Sequence, residues 1–107
     1  MVVTPQRGEI WWGEAPDEKG RPFLVIARQE AIPVMQRILV APVTRNQRRM
    51  IRSELALGPD DGLKFECCAT FDNLRPFPKS LLVRKLGALS PARLHDMCDV
   101  LNATTGC

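Results

Sequence analysis

Arg21 and Thr44 are the two residues of this sequence whose types best suit chemistry on a phosphodiester. One opens an apolar run, Pro22-Phe-Leu-Val-Ile, and the other closes a second, Ile38-Leu-Val-Ala-Pro-Val. A guanidinium stays charged at any working pH and offers a planar fork of donors to phosphate oxygens, so it stabilises a developing phosphorane better than it abstracts protons. A threonine hydroxyl can donate to the same oxygens. If the substrate is RNA, the ribose 2′-OH beside the scissile phosphate is an internal nucleophile already held close. Two runs that form neighbouring strands would put these residues side by side.

Other chemistries find less support. The single histidine, His95, rules out a two-imidazole acid and base within one chain. It lies three residues before Cys98, but no second histidine and no Cys-x-x-Cys accompanies it, so no metal site is expected. No Gly-x-x-x-x-Gly-Lys loop, Gly-x-Gly-x-x-Gly turn or Gly-x-Ser-x-Gly elbow occurs, which leaves nucleoside triphosphate hydrolysis, dinucleotide binding and a serine esterase without their motifs. Asp17-Glu18 and Asp60-Asp61 read as solvated turns. Cys67 and Cys68, on one strand, would place one thiol inward and one outward.

The distribution of charge points the same way as Arg21. Residues 21–52 contain seven arginines against one acid, Glu30, a local charge of +6 within a chain of net charge +3. Four of them, Arg45, Arg48, Arg49 and Arg52, fall within eight residues and form a candidate phosphate track, the bland alternative being a solvated basic loop. With 107 residues, 45% hydrophobic and 25% charged, the chain reads as one soluble domain over residues 1–107. No apolar run approaches the ~18 residues that span a bilayer, and the start lacks a secretory pattern, so the expectation is a cytoplasmic protein with reduced cysteines.

Short strands separated by turns must position these residues. Residues 7–13, 22–28, 37–44, 53–57, 64–71 and 79–86 have strand character, with Pro42 suggesting a bulge or an edge. The two prolines of residues 72–78 argue against regular structure there. One helix is expected at the end: Ser90 as N-cap, Pro91 at the first helical position, and Leu94, Met97, Cys98 and Leu101 on one face. Gly106 comes late for a clean cap, so fraying is expected over residues 102–104. This order is mainly β, a small barrel or sandwich closed by one helix.

Taken in order, Arg7-Gly-Glu-Ile-Trp-Trp, Gly20-Arg-Pro-Phe-Leu-Val-Ile, Ile38-Leu-Val-Ala-Pro-Val-Thr44, Asp72-Asn-Leu-Arg75 and Leu86-Gly-Ala-Leu resemble the MazF/PemK family of toxin endoribonucleases over nearly the whole chain. The resemblance implies an SH3-like β-barrel, also the fold of CcdB, with a C-terminal α-helix. It implies a homodimer that cuts single-stranded RNA without metal or other cofactor, through 2′-OH attack, leaving a 2′,3′-cyclic phosphate and a 5′-OH. It also implies a cognate antitoxin whose acidic segment fills the basic groove. Carried across, Arg21 and Thr44 are catalytic, and Asp72, Asn73 and Arg75 position substrate. Two departures stand out: residues 13–20 are short, leaving Glu18 as the candidate for the glutamate some relatives use there, and Pro76 follows Arg75 where Ser or Thr is commoner. Trp11, Trp12 and Phe77 are candidates for base stacking, with at least one Trp in the core. The alternative is a non-catalytic toxin of the same fold, a CcdB-like gyrase inhibitor, or a binding module. No aromatic follows Phe77, which counts against gyrase.

Overall fold

Among the described residues, seven strands and one α-helix are built on alternating apolar positions, and both faces of the central strands are covered. The computed structural model describes residues 4–45 and 51–106. In chain order the strands are β1 (Glu9–Gly13), β2 (Arg21–Val25), β3 (Arg37–Thr44), β4 (Glu54–Leu57), β5 (Cys67–Thr70), β6 (Arg75–Pro78) and β7 (Leu82–Ala88), followed by helix α1 (Pro91–Thr105). They form a curled antiparallel sheet in the order β4-β5-β3-β2-β1-β7, with β6 also on β3. The expected small β-barrel with a terminal helix is the architecture found.

β3 is the organising strand because its two edges serve three partners. One edge pairs with β2; the other pairs with β6 at residues 37–40 and with β5 at Val43 and Thr44. Pro42 sits where that second edge changes partner. Its carbonyl accepts from the Thr70 hydroxyl at 3.2 Å, so its missing N–H faces the same gap between β6 and β5 and leaves no ladder bond unmade. Proline is tolerated here in a central strand for this reason, with neither the bulge nor the edge position its presence suggested.

Alternation divides the interior in two. Ile10, Leu24, Ala41 and Val43 face α1, meeting Met97, which is fully buried, together with Leu94 and Leu101. Trp11, Phe23, Val25 and Val40 face the other way, onto Phe77 and Leu82. The rings of Phe23 and Phe77 lie 4.6 Å apart. Phe77 therefore belongs to this second core and Trp11 is 4% exposed, so neither is placed to stack a base. Residues 75–78 form a strand despite Pro76 and Pro78, because β6 needs only to line the N-terminal half of β3. Cys67 and Cys68 are both buried, since the sheet is covered on either side, and neither forms a disulfide. Asp61 is also buried, accepting from the Gly58 N–H and pairing with Arg93 at 3.5 Å, rather than lying in a solvated turn.

The helix begins as its sequence requires, with Ser90 Oγ accepting from the Arg93 N–H and Pro91 in the first turn. It does not fray at residues 102–104. Gly106 adopts φ 74°, and its N–H bonds to the Asn102 carbonyl, closing the helix with a left-handed cap.

Candidate active site

Arg21 and Thr44 lie at adjoining ends of the neighbouring strands β2 and β3. The register pairs Phe23 with Pro42, Leu24 with Ala41 and Val25 with Val40; the paired rungs end there, and the same register carried two residues further would set Arg21 level with Thr44. Because side chains repeat with period two, both lie on the face of Phe23 and Phe77. Arg21 pairs on its other side with Gly13 of β1, and Thr44 with Cys68 of β5, so flanking strands fix both ends. Arg21 is exposed and Thr44 half-buried, a position open to a large substrate.

The same side carries a second arginine already holding a carboxylate. Arg75 stacks over the Phe77 ring at 5.3 Å and grips Glu18 with two hydrogen bonds, Nη1–Oε1 at 2.9 Å and Nη2–Oε2 at 3.2 Å. The hydrogen bonds from Arg75 hold the Glu18 carboxyl below its ordinary range, with the charges of Arg75 and Arg21 adding to the effect. Residues 14–20 thus fold back so that one carboxylate stands near two guanidinium groups. A carboxylate on a guanidinium fork occupies the geometry that a phosphate would take.

The arginine track is partly visible. Arg45 leaves β3 next to Thr44 and lies 4.1 Å over the Phe65 ring, and Arg52 is exposed ahead of β4; Arg48 and Arg49 lie outside the described residues. Beside Thr44 opens a mainly apolar cavity of about 470 Å³, lined in part by Trp12, Pro22, Val43, Arg45 and Phe65, with Arg84 and Lys85 on its rim. Trp12 is the aromatic the sequence singled out that remains at the surface, its Nε1 donating to Glu14 at 2.9 Å. Phe65, at 56% exposure, was missed. Nothing in its neighbourhood of charged residues marks it; only folding places it against Arg45.

Asp72 and Asn73 stand apart from Arg75. Asp72 Oδ2 accepts from the Ser53 hydroxyl at the start of β4, and Asn73 ends the same turn, exposed. His95 is exposed on α1, 3.8 Å from Asp99, and Cys98 lies 3.8 Å from Arg7 Nη2; among the described residues no three His, Cys, Asp or Glu side chains converge as ligands. Also among the described residues, no helix is long and apolar enough to cross a membrane.

The described residues form a curled antiparallel half-barrel with one terminal α-helix, with Arg21 and Thr44 at adjoining strand ends. The chain belongs to the family described as PemK-like, MazF-like toxins of type II toxin-antitoxin systems, which it matches over residues 6–104. It is 36% identical over 103 residues to the probable endoribonuclease MazF2 of Mycobacterium tuberculosis, covering 95% of this chain and 99% of that protein. To the probable endoribonuclease MazF5 of the same organism it is 34% identical over 108 residues, covering 100% and 98%. Its fold is similar to that of a mycobacterial endoribonuclease solved with its cognate antitoxin, with TM-score 0.82 and 24% identity over 95% of each chain. It is also similar to a MazE-MazF structure from Deinococcus radiodurans, with TM-score 0.78 and 19% identity over 98% of each chain.

Proposed function

We propose that this chain is an endoribonuclease toxin, acting as a single toxin domain over residues 1–107. It cuts single-stranded RNA at short sequences in the cytoplasm as a homodimer, and a cognate antitoxin restrains it. Family membership and the mycobacterial relatives named as endoribonucleases support the activity. The observation that supports the assignment to particular residues is that Arg21 and Thr44 lie at adjoining ends of β2 and β3, whose register, carried two residues past the Phe23–Pro42 rung, would bring them level.

In this reading the ribose 2′-oxygen attacks the adjacent phosphorus, its proton leaves to solvent or a nearby acceptor, and the 5′-oxygen departs and takes a proton. The products are a 2′,3′-cyclic phosphate and a 5′-OH. Arg21 holds the charge that grows on the non-bridging oxygens, Thr44 adds a polar contact beside the reacting group, and Arg75 meets a neighbouring phosphate once Glu18 yields it. Arg45, Arg48, Arg49 and Arg52 track the backbone, and Asn73 contacts the strand further along. An acidic antitoxin segment would compete for the same arginines through the same charges.

The test is cleavage of a mixed-sequence RNA by the purified protein in EDTA, with both new ends mapped. Cyclic phosphate and 5′-OH ends are expected at a short recurrent sequence, and Thr44→Ala should slow cleavage by at least tenfold. Intact RNA at micromolar protein, or cleavage that requires a divalent ion, would refute the mechanism; poisoning of gyrase supercoiling with RNA left intact would favour the non-catalytic alternative.

A further inference from the structure

Thr44 does not stand alone at the end of β3. β3, β5 and β4 run side by side there, with Thr44 opposite Cys68 and Cys68 opposite Ala56. Glu54, two residues before Ala56, is therefore the diagonal neighbour of Cys68 on the same face. Its carboxylate Oε2 accepts from the Cys68 thiol at 3.8 Å, while Oε1 accepts from the Ile51 N–H at 3.3 Å. The Thr44 hydroxyl hydrogen-bonds the Cys68 sulfur from the other side. Cys68 is fully buried, whereas Thr44 and Glu54 are half-buried. On the opposite face the adjacent rung carries Val43, Ala69 and Leu55, all core. The polar row is thus a separate feature and no accident of packing between apolar layers.

The bonds in this row have a consistent direction, with Thr44 donating towards Cys68 and Cys68 towards Glu54. A thiol carries one proton, and here it goes to Glu54. The remaining bond, between Thr44 and Cys68, must then be donated by the Thr44 hydroxyl. Burial pushes the Cys68 thiol up, and the Glu54 charge adds to this, so the thiol keeps its proton across the neutral range. With its own proton directed at sulfur, the Thr44 hydroxyl has no proton to give a further partner and can only accept from one.

We propose that Cys68, oriented by Glu54, is a positioning residue that fixes the Thr44 hydroxyl as an acceptor facing the RNA 2′-OH, rather than as a donor to the phosphate. This rests on the reading of Thr44 as catalytic and refines its role. It also ties the arginine-rich segment to the chemistry, since Glu54 holds the backbone of Ile51 where that segment rejoins the sheet.

The test uses steady-state kinetics on a cleavable oligonucleotide, with thermal unfolding of each variant alongside. Cys68→Val is apolar and one methyl larger and neither donates nor accepts, and about a tenfold fall in kcat with KM within twofold is expected from a loosened hydroxyl. Cys68→Ser, which keeps both roles, should recover to within about threefold of the parent. Cys68→Ala carries the same expectation as valine if the extra methyl proves too large. The decisive arm is the pair Thr44→Ala and Thr44→Ala/Cys68→Val, whose rates should coincide because Cys68 acts only through Thr44. A parent-like rate for the valine and alanine variants, or a double variant that is again tenfold slower than Thr44→Ala, overturns the proposal and leaves the catalytic threonine standing. A Thr44→Ala enzyme at the parent rate removes both.

Discussion

Replacing Arg21 tests the assignment most directly, and the expected size follows from its surroundings. A guanidinium about 4 Å from a phosphate oxygen contributes roughly 4 kcal/mol at an effective dielectric near 20, and about 1 kcal/mol in bulk water. Arg21 is exposed, but it is pinned between Gly13 and the end of β3 and stands near a second arginine, so its site lies between those limits. A loss of about 2.7 kcal/mol is the middle of the range, and at about 1.4 kcal/mol per tenfold this is a rate about 100-fold lower for Arg21→Ala. The same figure is the low end of what removal of one oxyanion donor costs. Arg21→Lys keeps the charge and loses the fork, so about tenfold is expected. KM should rise only a few-fold, because the charge Arg21 meets is the one added in the transition state and the arginine track still binds the substrate phosphates. The assay is kcat and KM on a short cleavable RNA in EDTA, with unfolding curves showing that both variants remain folded. Cleavage by Arg21→Ala within threefold of the parent would refute the geometric argument, whatever the fate of Thr44.

Further outcomes follow from single contacts. Glu18→Gln removes the carboxylate from the Arg75 fork, so RNA should bind about two- to fivefold tighter at low salt, with the difference shrinking in 0.5 M salt; KM titrations at both salts check this, and a fall in kcat instead would place Glu18 in the chemistry. Burial pushes the Glu9 carboxyl up, but hydrogen bonds from Trp11, Lys85 and the Gln6 N–H outweigh it and leave the group below its ordinary range. Its stabilisation is therefore present in full at neutral pH and lost as pH falls through the lowered value, so the melting temperatures of the parent and Glu9→Gln should differ at pH 7 and converge in acid. A constant difference would contradict that assignment. Phe77→Ala opens a hole against Phe23 and should cost about 3–5 kcal/mol in urea unfolding; a cost under 1 kcal/mol would show that the second core is not as packed as described.

Much of this arrangement was legible from single residues. The eight residues of β3 could be read with both boundaries, because an apolar run ends at charged or polar residues on each side. The start of α1 was legible because capping is local: Ser90 and Pro91 act within one turn. The other end was not, because nothing in residues 102–104 breaks a helix, and the left-handed cap is supplied by Gly106 itself. β6 was hidden for a different reason. A strand that pairs on one edge only can contain Pro76 and Pro78, and which edge is free is a property of the sheet rather than of the segment. The placing of Arg21 and Thr44 at adjoining strand ends was readable as a condition, two neighbouring strands, but the Glu18–Arg75 contact spans 57 residues and the Thr44–Cys68–Glu54 row crosses three strands. Neither has a local signal beyond the period-two alternation that put Glu54 on the face away from Leu55.

The register itself explains why a chemical site can rest on two ordinary strand ends. Sliding β2 by one residue against β3 would turn Phe23 away from Phe77 and Leu24 away from Met97, exposing both cores at once. Burying the side chains on both faces makes that slip far more costly than on a sheet with one wet face. Arg21 and Thr44 are two residues beyond the last buried rung, Phe23 with Pro42, close enough to inherit its register and far enough to remain open to substrate. The second edge of β3 adds the other constraint: by changing partner at Pro42, it lets β6 bring Arg75 to one level of the strand and β5 bring Cys68 to another. Substitutions in either core should therefore lower stability before they alter cleavage, whereas those at Arg21, Thr44 and Cys68 should alter cleavage in a protein that still folds.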